Sequence, residues 1–174
     1  ATFLMAKAGA DVIKVEPLVG EPMRYRAKAT KGAGLPIAMI NANKRGITLN
    51  LKTERGRELL KEMVARADIL LENFTPGVMD RLGVGWEVLR EVNPKLIYAS
   101  GTGFGLSGPD KDNMAMDLTV QAASGLMSVT GEPDGPPLKC GAAVVDFLSG
   151  IHLYAAVMTA LYERTITGKG RLVE

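Results

Sequence analysis

The sequence is poor in the residues that staple or metallate a small protein. Its one cysteine, Cys140, leaves no partner for an internal disulfide, which points to a reducing compartment. One histidine, His152, added to that cysteine falls short of a zinc ligand set. Neither sign of charge is in excess: 21 Lys and Arg against 19 Asp and Glu leave +2, so no basic field argues for nucleic acid. No apolar run is expected to approach membrane-spanning length, and the longest apolar helical pattern is interrupted by His152 and Tyr154. The first ten residues lack the basic start of a signal peptide and read as a helix ending at Gly9.

What is present is the material of one packed domain. The chain has 174 residues, 47% of them hydrophobic, enough for a real core. It opens inside a helical pattern and closes on residues 168–174 as a strand pattern begins, so a piece of something longer is expected.

Periodicity gives alternating strands and helices. Residues 11–16 (Asp-Val-Ile-Lys-Val-Glu) are β-branched and bounded by Gly9 and Pro17, a strand. Residues 18–38 carry Gly20, Pro22, Gly32, Gly34 and Pro36 and read as a long loop. Residues 47–51 alternate as a second strand, and Thr53 then caps a helix with Leu59, Leu60, Met63, Val64 and Ala67 on one face. Residues 68–74 form a third strand, apolar enough to be buried on both faces. Short helices follow, from Pro76 to Leu82 and around Trp86, Leu89 and Val92, the latter stopped by Asn93-Pro94. Residues 96–99 make a fourth strand, a helix is expected over 116–129, and the last helix over 147–165. This βα order predicts an α/β fold with a mostly parallel sheet and helices on both faces.

Five features invite a chemical reading. Gly103-Phe-Gly105-Leu-Ser-Gly108 matches the dinucleotide fingerprint, but turn-forming residues 109–113 follow where a helix must start, so that reading is rejected. Lys14, Asn43-Lys-Arg45, Lys52 and Arg81 either converge on phosphates or are solvated surface charge; solvated charge is the favoured reading, and spacing alone does not distinguish the two. His152, among apolar helix neighbours, reads as a hydrogen-bonded core histidine. Asp117 starts a helix and is explained by capping. Asp146 stands within Gly141-Ala-Ala-Val-Val-Asp-Phe-Leu-Ser-Gly150, a small and apolar stretch that leaves it little water. A surface turn, a helix cap and a nucleophile all remain open for it, and on physical grounds alone a cap is the better explanation.

Taken in order, residues 9–16, 43–52, 68–74, 93–97 (Asn-Pro-Lys-Leu-Ile), 121–125 (Gln-Ala-Ala-Ser-Gly) and 167–170 (Thr-Gly-Lys-Gly) resemble the class III CoA-transferases, the formyl-CoA and carnitine or bile-acid CoA-transferase type. The resemblance covers nearly the whole chain. It implies a Rossmann-like CoA-binding large domain, residues 1–174 being part of it, with the first strand and a small C-terminal domain lying outside. It implies an interlocked homodimer, with Asp146 as nucleophile, and CoA contacts from Leu49, Lys52, Asn73, Phe74, Thr75 and Arg81. An acyl-CoA and a small carboxylic acid are the implied substrates, with no metal and no permanently bound cofactor. Neither a nucleic acid nor a membrane partner is expected, and the expected location is the cytoplasm, or mitochondria or peroxisomes in a eukaryote. Two departures stand out: Pro17 and Met114 occupy positions where formyl-CoA transferase has an arginine and a lysine. The family's α-methylacyl-CoA racemases use a histidine where this chain has Met116, which favours transfer over two-base proton exchange. A non-catalytic CoA-binding module, with Asp146 only a cap, is the rival from another class. This stretch alone is expected to be inactive.

Overall fold

The computed structural model describes residues 1–25 and 34–174. In chain order the elements are α1 (Thr2–Lys7), β1 (Val12–Glu16), α2 (Leu35–Ile40), β2 (Lys44–Thr48), α3 (Glu54–Val64), β3 (Ile69–Glu72), α4 (Val78–Arg81), α5 (Trp86–Val92), β4 (Ile97–Ser100), α6 (Asp117–Ala123), α7 (Val144–Thr167) and β5 (Arg171–Val173). Short 3₁₀ turns lie at Pro22–Tyr25 and Leu126–Val129. Among the described residues every strand pairing is parallel. β1 pairs with β2 from Val12 opposite Lys44, and a second sheet runs β3-β4-β5 with Ile97 between Ile69 and Arg171.

The layers follow from the two-residue period of β4. Leu96 and Tyr98 face one side and pack with Leu60 and Val64 of α3, Met79 of α4, Val84 and Leu89 of α5. Ile97 and Ala99 face the other side and pack with Met5 of α1 and Leu153, Val157 and Ala160 of α7. Helices therefore cover both faces of the β3-β4-β5 sheet, as the βα pattern predicts. Trp86 closes the first layer edge-on against Tyr98, with ring centroids 6.1 Å apart at 67°. Asn93 fixes the turn into β4. Its amide donates to the carbonyls of Val64 (3.0 Å) and Ala67 (2.9 Å), and its Oδ1 accepts the N–H of Lys95.

Several expectations need correction. The second strand lies at 44–48 rather than 47–51, because Asn50 and Leu51 turn into α3, with Thr53 N–H donating to Asn50 O. Thr53 caps α3 as anticipated, its Oγ1 accepting Gly56 N–H at 3.1 Å. Within the stretch read as a loop, residues 35–40 form α2, with Pro36 in its first turn and Ile37 buried; the Gly32 end of that stretch lies outside the described residues. The helix expected over 116–129 breaks after Ala123, because Gly125 takes a left-handed φ of 80°. The final helix starts three residues earlier than expected, placing Asp146 inside its first turn.

α7 also corrects the expectation that no apolar run approaches membrane-spanning length. At 24 residues it is long and apolar enough to cross a membrane by length and composition. His152 and Tyr154 do not offset the Val, Leu, Ile, Ala and Met around them. Leu153, Val157 and Ala160 are buried against β4, whereas Phe147, Leu148, Ile151, Tyr162 and Ile166 stay exposed.

Candidate functional site

The carboxyl ends of parallel strands are where an α/β sheet opens toward a ligand, because helix N-termini and loops gather there. The residues implied in CoA contact fall after such ends. Leu49 follows β2, and its N–H donates to Glu16 O at 2.8 Å, tying it to the end of β1. Lys52 is exposed in the next turn, which is braced by Arg57: its Nη1 donates to Lys52 O (3.0 Å) and Leu51 O (3.4 Å). Asn73, Phe74 and Thr75 follow β3, all exposed. Thr75 O accepts Val78 N–H at 3.1 Å, so the turn runs directly into α4, which ends at Arg81. Arg81 folds back over Gly77, its Nη1 only 3.0 Å from where a Cβ would stand, and Gly77 has a φ of 78°. The positive φ favours glycine there, while the Arg81 guanidinium, at the end of a flexible side chain, could shift.

These segments belong to one layer, since Leu49, Leu51 and Leu82 join the core cluster that contains Met79. α7 belongs to the opposite layer. The two meet at Gly101, where a Cβ would lie 3.3 Å from Asn73 Cβ and 3.4 Å from Leu153 Cδ2. Asp146 precedes Leu153 by two turns of α7, about 10 Å along the axis.

Glu72 organises the end of β3. One carboxylate oxygen accepts Ser100 Oγ–H at 2.6 Å, and the other accepts Phe74 N–H at 2.8 Å. Tyr98 OH approaches at 3.5 Å, and its phenol is pushed well up, first by burial and then by the Glu72 and Asp80 charges. A comparable knot holds the end of β1. Glu16 is buried and accepts a two-pronged bond from Arg24 at 2.6 Å on each oxygen, with Lys14 at 3.3 Å and Glu21 N–H at 3.1 Å. Chiefly through Arg24, its carboxyl is held down to about 2.

Asp146 is not enclosed: in this chain it is exposed, as are Phe147 and Leu148 beside it. Nor does it cap. The N–H groups at the start of α7 go to Asp117, whose Oδ1 accepts Val145 N–H at 2.9 Å and Asp146 N–H at 3.2 Å. Asp117 thus caps α7 rather than its own helix, where Met116 is the N-cap and Thr119 Oγ1 takes the Met116 N–H. Asp117 Oδ2 accepts Gln121 Nε2–H at 2.6 Å, and Gln121 Oε1 accepts Cys140 N–H at 2.8 Å. Among the described residues no donor reaches the Asp146 carboxylate. Partial desolvation, and then the Asp117 charge, raise its pKa above the ordinary carboxylate value. The N–H groups at the start of α7 are bonded to Asp117 and not to the Asp146 carboxylate.

His152 corrects a further expectation: it is exposed on α7, and its Nδ1 lies 2.8 Å from Leu148 O. Met116, at the position where a racemase base is expected, is exposed too. Residues 101–116 pass through turns with no helix until Asp117, so the glycine pattern at 103–108 lacks the helix start a dinucleotide site needs. Among the described residues no three His, Cys, Asp or Glu side chains gather as a metal set. Gln121, Glu72 and Asn93 escaped notice as organisers; only the four-residue spacing of Asp117 and Gln121 on one helix face signals such a pairing in sequence.

The fold is a parallel α/β domain with helices on both faces of its β3-β4-β5 sheet, and its exposed Asp146 carboxylate stands in the first turn of a helix that Asp117 caps. The CoA-transferase family III model matches residues 1–174, and the chain belongs to that family. It is 47% identical over 174 residues to a formyl-CoA:oxalate CoA-transferase of Streptomyces avermitilis, covering 99% of this chain and 42% of that protein. It is 43% identical over 175 residues to an acetyl-CoA:oxalate CoA-transferase of Acetobacter aceti, covering 99% of this chain and 45% of the relative. The crystal structure of a CAIB/BAIF family protein from Brucella suis superposes with a TM-score of 0.91 at 39% identity, over 97% of this chain and 46% of that one. The chain therefore spans less than half the length of the relatives it matches.

Proposed function

We propose that this chain carries the nucleophile and part of the CoA cleft of an acyl-CoA:carboxylate CoA-transferase. The observation that carries the reading is the division of labour at α7: Asp117 performs the capping, which leaves the Asp146 carboxylate free for chemistry. A module in which Asp146 served only as a cap has no support in this geometry. The racemase reading is weakened because Met116 offers no base, and His152, six residues after Asp146, projects from another side of α7.

An Asp146 oxygen attacks the thioester carbonyl, the C–S bond breaks, and CoA leaves as the thiolate with an acyl-aspartyl anhydride left behind. The thiolate attacks the Asp146 carbonyl carbon; the bond from that carbon to the bridging anhydride oxygen breaks, and the donor acid departs with that oxygen as its carboxylate. The aspartyl-CoA thioester then meets the acceptor carboxylate, which displaces thiolate to give a second anhydride. Attack of thiolate on the acceptor's acyl carbon yields the new acyl-CoA and frees Asp146. No net proton, metal or redox equivalent enters the cycle. Leu49, Lys52, Asn73, Phe74, Thr75 and Arg81 hold CoA, the cations serving its phosphates. Water must be kept from both intermediates, and because Asp146 is exposed in this chain, its cover comes from the rest of the homodimer. The names of the relatives make formyl-CoA or acetyl-CoA with oxalate the first pair to assay.

The test uses the full-length protein with acyl-CoA, quenched in hydroxylamine and read by peptide mass. Modification confined to Asp146, with transferase activity abolished in Asp146→Ala, is the expected result. Full activity in Asp146→Ala would sink the proposal.

A further inference from the structure

Gln121 is a polar side chain with no solvent exposure. A buried amide is costly unless both its ends are bonded, and here both are. The NH₂ group donates to Asp117 Oδ2 at 2.6 Å, and the carbonyl oxygen accepts Cys140 N–H at 2.8 Å. The amide's orientation is fixed chemically: a carboxylate can only accept and a backbone N–H can only donate. One side chain thus joins α6, the segment leading into α7, and, through Asp117, the first turn of α7 itself. Asp117 in turn has both oxygens committed, one to Gln121 and the other to the N–H groups of Val145 and Asp146.

We infer that Gln121 is a positioning residue for Asp146, locking the Asp117 carboxylate across the start of α7 so that the backbone from which the Asp146 side chain projects is held in one place. The inference rests on the reading of Asp146 as nucleophile. A free Asp117 carboxylate has several rotamers; held at Oδ2, it keeps the geometry that bonds both N–H groups. The bond to Cys140 N–H fixes the approach of the chain to α7 from the other side. An arrangement held on two sides fixes the backbone that carries the nucleophile, and a nucleophile displaced by about 1 Å loses rate on the order of a hundredfold. The ionisable groups of this network are Asp117 on the same helix, Cys140 in the preceding segment and Asp146 on α7.

Two variants of the full-length enzyme test this, with formyl-CoA and oxalate as substrates and Asp146→Ala as control. Gln121→Met keeps volume but neither bond; kcat should fall roughly ten- to a hundredfold while KM for acyl-CoA stays within about twofold. Gln121→Glu separates positioning from bulk stability. As a protonated acid it donates and accepts as the amide does; once ionised it repels Asp117 and cannot donate. A buried glutamic acid beside another carboxylate titrates well above its usual value of about 4.3. The variant's kcat should therefore match wild type at the acid end and fall as pH rises, a limb absent from wild type, with melting temperature recorded at each pH. Wild-type kcat and an unchanged pH profile in Gln121→Glu would overturn the inference. So would a loss of activity that only tracks melting. If Asp146→Ala retains activity, the nucleophile reading itself fails; if it is dead while both Gln121 variants behave as wild type, only the present inference does.

Discussion

Asp117 Oδ1 accepts the backbone N–H of Asp146 at 3.2 Å, so one carboxylate caps the helix whose first turn carries the other. The two acids lie 29 positions apart in the chain and hold different roles because of where their oxygens face. Asp117 is fully bonded, and Asp146 is not. The pairing contributes to the electrostatics of the site: partial desolvation, and after it the bonded Asp117 charge, raise the proton affinity of Asp146.

Asp117→Ala should cost about 1 kcal/mol of stability through the lost cap. It should also move the acidic limb of kcat to lower pH. Both the removal of a like charge and the release of two N–H groups favour ionised Asp146, so its raised pKa falls. Thermal melts and a kcat–pH profile of the full-length enzyme check the two effects separately. A limb that stays in place or moves upward contradicts the coupling.

Arg24→Gln should weaken the knot at the end of β1. Glu16 ordinarily titrates at 4.5 and is held at about 2, chiefly by Arg24. A depressed carboxyl contributes stability that is present above its unfolded pKa and lost as pH falls through the folded one. The stability gap between wild type and variant should therefore be full above pH 4.5 and close toward about pH 2. Arg24 is 44% exposed and Lys14 remains beside Glu16, so the gap is about 1 kcal/mol rather than the full electrostatic figure. Melting temperature against pH for the two proteins provides the check.

Glu72→Ala removes the acceptor for both Ser100 Oγ–H and Phe74 N–H. The Asn73–Thr75 turn then loses its tether, and CoA affinity should drop roughly tenfold, the worth of about one charge-assisted hydrogen bond. Titration calorimetry with CoA is the measurement. An unchanged Kd would show that the turn holds its shape without Glu72, or that CoA does not use it.

Gly56→Ala tests packing against propensity. Alanine in a helix is ordinarily favoured over glycine by about 1 kcal/mol. At Gly56 the new methyl would fall on the backbone carbonyl of Asn50 and against Thr53 Oγ1, the cap of the same helix. The substitution should lower the melting temperature, reversing the sign that helix propensity gives.

Local regularities were readable without coordinates. Two-residue alternation and β-branching located β1, β3 and β4, three- and four-residue spacing located α3 and α7, and Thr53 announced its cap, because each depends on neighbours within one turn or strand. Boundaries slipped where a distant partner decides. β2 starts at Lys44 because its register is set by pairing with β1, and α2 forms around Ile37, which only packing buries.

The candidate site divides along the same line. Composition and residue order determined by themselves that this is a parallel α/β domain, and motif order singled out Asp146 and the positions proposed to contact CoA. Which carboxylate caps and which stays free was settled only by tertiary structure, because the N–H groups of Val145 and Asp146 are satisfied from another helix. Sequence showed Asp146 in apolar company and suggested a dry pocket; three dimensions put the same residue in solvent. Burial belongs to the surfaces that meet a side chain in space, and the neighbours of Asp146 in sequence point Leu153 and Val157 at the sheet while leaving the first turn of α7 uncovered.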